Sequence, residues 1–151
     1  MKNKFTIIPV RDHLLKPTRG HDDDAGIDFY AQEDITLHGG LTKIPLGFGI
    51  VFPKRTLSDK ILGKHWHAEL TQRSSQNAAG VMLMRGIIDE GYRGEIAAVF
   101  VNLSGSVIKY KAGDRIGQLL FYKERSVNSP DIKTLKKNEK RNTGGFGSTG
   151  K

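Results

Sequence analysis

The chain contains no cysteine, which removes disulfides, thiolate metal sites and cysteine nucleophiles from consideration. It has no apolar stretch of the length needed to span a bilayer. Its opening MKNKFTIIPVRDH carries only a short apolar run before charges return, unlike a secretory signal. Helical periodicity is scarce as well: only DKILGK and SQNAAG look briefly helical, and each is too short to stand alone. No internal repeat is visible. Negative charge is in short supply, with 16 Asp and Glu against 24 Lys and Arg, for a formal +8. The expectation is a soluble protein in the cytoplasm, or a host cell's cytoplasm if the source is viral. Its basic excess suits an anionic partner such as a phosphorylated small molecule, a nucleic acid or a membrane surface.

What is present is strand signal. Residues 5–10, 26–31, 42–52, 67–73, 81–89, 94–103, 106–112 and 115–124 are short, β-branched or aromatic, and often alternating. Gly39-Gly40, Pro53, Gly91, Gly94, Gly105 and Gly113 punctuate them. With 151 residues this predicts one all-β domain over 1–125, a sandwich, jelly roll or barrel. From about Ser126 the pattern fades, so 126–151 read as an extended arm without a core of its own.

Four internal stretches carry polar residues of chemical interest. In GIIDEGYRGEI (86–96), apolar Ile87 and Ile88 lead to Asp89, a tight Glu90-Gly91 turn, and Tyr92. This predicts a β-hairpin with a carboxylate and a phenol at its tip; taken alone it also reads as a surface hairpin with a turn-forming Asp. QRSSQ (72–76) puts Arg73, Ser74 and Ser75 at a strand end, a set suited to phosphate oxygens. In DDDAGIDFYA (22–31), Asp28 interrupts an apolar strand and needs a partner, either a hydrated divalent cation or an arginine. GDRIGQLLF (113–121) sets Arg115 and Gln118 among apolar residues. The tail RNTGGFGSTGK (141–151) nearly spells a P-loop, but Lys151 is final, without the hydroxyl residue and helix that motif requires. Its glycines, hydroxyls and arginine remain an anion-wrapping composition, next to the basic run 132–141.

Taken in order from residue 24 to 150, these five stretches resemble the motif series of the homotrimeric deoxyuridine triphosphatases, the dUTPases. GIIDEGYRGE and GGFGSTG are the most specific pieces. The resemblance implies a jelly-roll-like β-barrel, three subunits sharing three sites, and an arm that closes over a neighbour's site. It implies hydrolysis of dUTP to dUMP and pyrophosphate with Mg²⁺, keeping uracil out of DNA and supplying dUMP for dTMP synthesis. By similarity Asp89 is the base for a water attacking the α-phosphorus, and Tyr92 packs under the deoxyribose. Leu83, Ile87, Ile88 and Ala97 belong to the uracil-reading segment. Arg73, Ser74, Ser75 and Gln118 hold the phosphate chain, and Asp28 reaches the metal through water only. In the arm, Phe146 stacks on uracil while Arg141, Gly147, Ser148 and Thr149 wrap the γ-phosphate.

Gln72, Asn142 and Gly117 depart from the family pattern, standing where proline, glycine and alanine are usual. Residues 54–70 are longer than the usual strand connection. A partner-binding insertion over 54–66 with Trp66 as anchor is expected there. His65 and His67 share one face of a possible strand, without a third ligand nearby. Two other readings stay open: a dCTP deaminase relative, and a regulatory or nucleic-acid-binding module on the same fold.

Overall fold

The computed structural model describes residues 4–127. Eleven strands and two five-residue helices follow in order: β1 (Thr6–Pro9), β2 (Ile27–Tyr30), β3 (Ile35–Leu37), β4 (Gly40–Pro45), β5 (Phe48–Val51), α1 (Leu57–Ile61), β6 (Lys64–Thr71), α2 (Ser74–Ala78), β7 (Val81–Leu83), β8 (Gly86–Asp89), β9 (Ala97–Asn102), β10 (Ile108–Tyr110) and β11 (Arg115–Arg125). They form an all-β jelly roll. A four-stranded sheet in the order β2-β11-β6-β8 and a three-stranded sheet β4-β9-β7 are joined by the pairs β1-β5 and β10-β3, all antiparallel. No helix among the described residues is long and apolar enough to cross a membrane.

Alternation explains the core. Along β9, Ala98, Phe100 and Asn102 are buried and their neighbours are not. Along β6, Trp66, Ala68 and Leu70 point into the same core as Phe29, Phe48 and Leu119. Each fully buried Phe contributes roughly 1.5–3 kcal/mol by leaving water. The polar exceptions are bonded: Asn102 donates its side-chain amide to the carbonyls of Leu37 and Ser106.

Two predicted strands are each split. Residues 42–52 form β4 and β5 in different sheets, because Gly47 takes φ +77 and turns the chain. A Cβ on Gly47 would also lie 2.8 Å from the Arg11 side chain. Residues 81–89 form β7 and β8, again in different sheets. Strand β3 has no counterpart in the sequence reading; three residues carry too little pattern and are held by β10.

The 54–66 segment is built, not loose. Thr56 and Asp59 cap α1 reciprocally, and the Asp59 carboxylate also receives Lys123 Nζ at 2.8 Å. Leu62 and Gly63 carbonyls accept from Arg125 Nε and the Ser126 N–H. Trp66 is not the exposed anchor expected of it. It sits on the inner face of β6, 7% exposed, edge-on to Phe5 and with Lys123 Nζ 4.3 Å from its ring.

Gly117, where the family usually has alanine, faces the Phe29 ring, which a Cβ would overlap, with two further ring carbons at 2.8 and 2.9 Å. Gly117→Ala should therefore lower unfolding free energy by about 1–3 kcal/mol, measured in urea; unchanged stability would show that Phe29 yields freely. Lys123 first, then the Thr56 hydroxyl and N–H, hold the Asp59 carboxyl far below its ordinary value of 3.8. A depressed carboxyl stabilises the folded state above its unfolded pKa, and that contribution fades as pH falls toward the folded one. The stability gap between wild type and Asp59→Asn should be full above pH about 4 and narrow below it. Denaturation at pH 6 and pH 2.5 checks this, and an equal gap at both refutes it.

Candidate active site

The hairpin predicted over 86–96 takes a different form. β8 pairs with β6, whereas β9 pairs with β4 and β7, so the two limbs diverge into separate sheets. The tip is a tight turn with the Tyr92 N–H donated to the Asp89 carbonyl at 3.0 Å. β8 is an edge strand, leaving one side of its backbone without a strand partner. The β7 pairing on β9 ends at Leu83↔Phe100, with one more bond from Met84 N–H to Val99 O, so Ala97 and Ala98 lie beyond it. Between these two free edges lies a cleft of about 170 Å³, lined by Leu70, Gly86, Ile87, Ile88, Asp89, Tyr92, Ile96 and Ala97.

Tyr92 is held at this cleft by its hydroxyl, which donates to the Glu95 carbonyl at 2.9 Å. Gly94 permits that pose: a Cβ there would lie 2.7 Å from the ring's Cζ. The limb beyond is tied down through Glu95, whose carboxylate accepts from the Gly47 N–H at 2.8 Å, and through Ile96, bonded by its N–H to Phe48 O and its carbonyl to Leu46 N. Asp89 closes β8 opposite His67, on the face that also carries Ile87 and Glu69. Glu69 is buried there, ion-paired to Arg85 and 3.7 Å from His67, whose ring stacks on Tyr122.

A second cluster forms around Asp28. On the β2–β11 ladder Asp28 stands directly opposite Gln118, which donates to it at 3.2 Å. Arg115 Nη1 approaches its other oxygen at 3.3 Å, and Arg73 Nε lies 3.6 Å away. Only 9% of the Asp28 side chain is exposed, so the carboxylate needs these partners. Arg73 and Arg115 supply partners of the kind its sequence context demanded. Arg73 precedes α2, whose buried Gln76 accepts from the Arg73 N–H and donates to the Ile116 carbonyl. Gln76 thereby joins α2 to β11. Ser74 and Ser75 are exposed in the first turn, and Arg73, Ser75 and Arg115 line a cleft of about 580 Å³. This cleft shares no residue with the one beside Asp89.

Leu83 does not join the Asp89 cleft. It is buried in β7, and its N–H goes to the side-chain oxygen of Gln72 at 3.0 Å. Gln72, one of the departures, thus satisfies a backbone donor that proline could not reach. Leu70, Gly86 and Ile96 also line the first cleft, and Arg115, noted as an arginine inside an apolar strand, lines the second together with Gln76 and Tyr110. Arg141, Phe146, Gly147, Ser148 and Thr149 lie outside the described residues.

No three His, Asp or Glu side chains converge on a metal position among the described residues. The Asp28 oxygens already face two guanidiniums and an amide. With about four lone-pair sites per carboxylate, Asp28 retains an acceptor site that a bound water can use. That donor set fits Mg²⁺, which keeps its waters and binds chiefly through substrate phosphates.

The fold is thus an all-β jelly roll with a carboxylate and a phenol beside unpaired strand edges, and a separate arginine–serine cluster. The family model described as dUTPase matches residues 12–150. The deoxyuridine 5'-triphosphate nucleotidohydrolase of Clostridium tetani is 33% identical over 146 residues, covering 94% of this chain and 93% of its own. The dUTPase of Staphylococcus bacteriophage 80alpha, solved with dUpNHpp, superposes with a TM-score of 0.77 at 19% identity, over 97% of this chain and 98% of that one. A dUTPase from phage phi11 of S. aureus, solved to show the coordination of a structural Mg(II) ion, gives 0.67 at 18% identity, over 92% and 99%. The chain belongs to the dUTPase family.

Removing the Asp28 carboxylate leaves Arg73 and Arg115 facing each other without a counter-charge. Asp28→Ala should lose about 1–3 kcal/mol of stability, and added inorganic phosphate should raise its melting temperature more than that of wild type. Equal phosphate effects on both proteins would show that the two arginines do not share an anion.

Proposed function

We infer that the protein hydrolyses dUTP to dUMP and pyrophosphate, with Asp89 as the base that orients and deprotonates the attacking water. In the cell this keeps uracil out of DNA and supplies dUMP for dTMP synthesis. The observation that carries the reading is the cleft between β8 and β9: a narrow slot edged by backbone without strand partners, with Asp89 and Tyr92 at its mouth. Backbone around Leu83, Ile88 and Ala97 can offer an N–H to uracil O4 and a carbonyl to N3–H. Cytosine presents the reverse pair and would leave buried groups unmatched, at roughly 1–3 kcal/mol each. The slot leaves no room for thymine's methyl, and the Tyr92 ring occupies the place a ribose 2′-hydroxyl needs.

Water attacks the α-phosphorus and pyrophosphate leaves. Proton removal by a positioned carboxylate contributes roughly 10²–10⁴-fold; alignment and charge neutralisation supply the remainder. Arg73, Ser74, Ser75 and Gln118 hold the α- and β-phosphates. Mg²⁺, when bound, neutralises phosphate charge, and Asp28 reaches it through water. Phe146 stacks on uracil, and Arg141, Gly147, Ser148 and Thr149 take the γ-phosphate.

The working unit is a homotrimer in which one subunit's Asp89 cleft meets a neighbour's Arg73–Asp28–Gln118 cluster, and the arm 126–151 closes the site. The separation of the two clefts on one chain supports this. So does the outer face of the β4-β9-β7 sheet, where Leu41 and Met82 flank Val101 and are 71% and 45% exposed. A protein partner at the 54–66 insertion would meet Leu57 and Ile61, one turn apart on α1 and each 75% exposed.

Pyrophosphate release should be fast with dUTP and poor with dCTP, dTTP and UTP; equal turnover of dUTP and UTP would remove the Tyr92 argument. Asp89→Asn should lose at least about 10²-fold in kcat while nucleotide affinity stays close to wild type. Light scattering should report a trimer. Truncation after Lys140 should fold and assemble but lose most activity, and full activity would rule out the closing arm.

A further inference from the structure

The 54–66 insertion reaches the residue next to Asp89. Arg55 Nη1 donates to His65 Nε2 at 3.3 Å, and His65 Nδ1 meets Glu90 Oε2 at 3.2 Å. Arg55 Nε closes the ring on Glu90 Oε1 at 3.4 Å. The tautomer that satisfies both His65 contacts carries its proton on Nδ1, between an arginine that can only donate and a carboxylate that only accepts. From the other side Arg93 donates to the carbonyls of Glu90 and Tyr92 at 2.8 and 2.9 Å. The insertion is itself anchored by the α1 capping box, Asp59–Lys123, and the Leu62 and Gly63 carbonyls on the end of β11.

The Asp89 carboxylate receives no hydrogen bond or ion pair from another side chain among the described residues. The Asp89 backbone is held on one side by β6 at the His67↔Asp89 pair and on the other by the turn that runs through Glu90 to Tyr92. Ion pairs as exposed as Arg55–Glu90, at 29% and 25%, contribute little to stability. Holding a turn still is a different task, because a base displaced by about 1 Å loses up to roughly 10²-fold in rate.

We propose that Arg55 and His65 are positioning residues for catalysis, fixing the Asp89 turn by gripping Glu90. This rests on the reading of Asp89 as the base. The insertion is thereby a bracket for the active site.

The test compares Arg55→Met, His65→Gln, Glu90→Gln and the Arg55→Met/Glu90→Gln double variant in dUTP hydrolysis, beside Asp89→Asn. Each single variant should assemble and melt like wild type, with kcat reduced about tenfold and KM within about twofold. The double variant should be no slower than the worse single, because both remove the same contact. Wild-type kcat in Arg55→Met and His65→Gln while Asp89→Asn is inactive would overturn the bracket and leave the base assignment standing. A raised KM at unchanged kcat, losses that multiply in the double variant, or a kcat loss matched by loss of folded protein would overturn it too. Wild-type activity in Asp89→Asn would instead overturn the base, and the bracket with it.

Discussion

The site depends on a constraint of backbone pairing. Buried N–H and C=O groups must find partners, and the chain from β8 to β9 satisfies this by leaving one sheet for another. Had the two limbs paired with each other, as in an ordinary hairpin, their donors and acceptors would be consumed and no slot would exist. The divergence needs outside anchors: Glu95 on the Gly47 N–H, Ile96 bonded to Phe48 and Leu46, and β8 on β6. The left-handed Gly47 that splits 42–52 is therefore also part of the scaffold of the cleft. A base-sized opening lined by backbone is a product of sheet topology before it is a product of any side chain.

Most strands were legible because β-branched alternation survives wherever one face is buried. The failures fall where tertiary pairing decides. Nothing local in VMLMRGIID marks the change of sheet at Met84-Arg85, and three-residue β3 exists through β10 alone. Asp28 was legible as a carboxylate in need of a partner, but which arginines would reach it required β11 and α2 to be folded beside it. Trp66 misled because its neighbours are charged or polar: KHWHAE alternates, and the same period that exposes His65 turns Trp66 inward. Leu83, close before the motif in sequence, lies in the other sheet.

The family departures within the described residues are compensated locally. Gly117 accommodates the Phe29 ring on the neighbouring strand, so glycine and phenylalanine act there as one unit. Gln72 reaches across to the Leu83 N–H, joining the start of α2 to β7. Gln76, bonded to the Arg73 N–H and the Ile116 carbonyl, holds the start of α2 against β11. The position of Arg73, Ser74 and Ser75 is thus set by α2 and its tie to β11.

Trp66 has a further consequence. It is the sole tryptophan of the sequence, its indole N–H has no acceptor among the described residues, and Lys123, the residue that tethers α1 through Asp59, lies over its ring. A buried, unbonded indole emits toward the blue, and a cation moving off its face alters that emission. The protein thus carries its own optical gauge, placed under residues 54–66 in a cleft that Trp66 shares with His65, His67 and Asp89. Its fluorescence follows the packing beneath residues 54–66 without any added label.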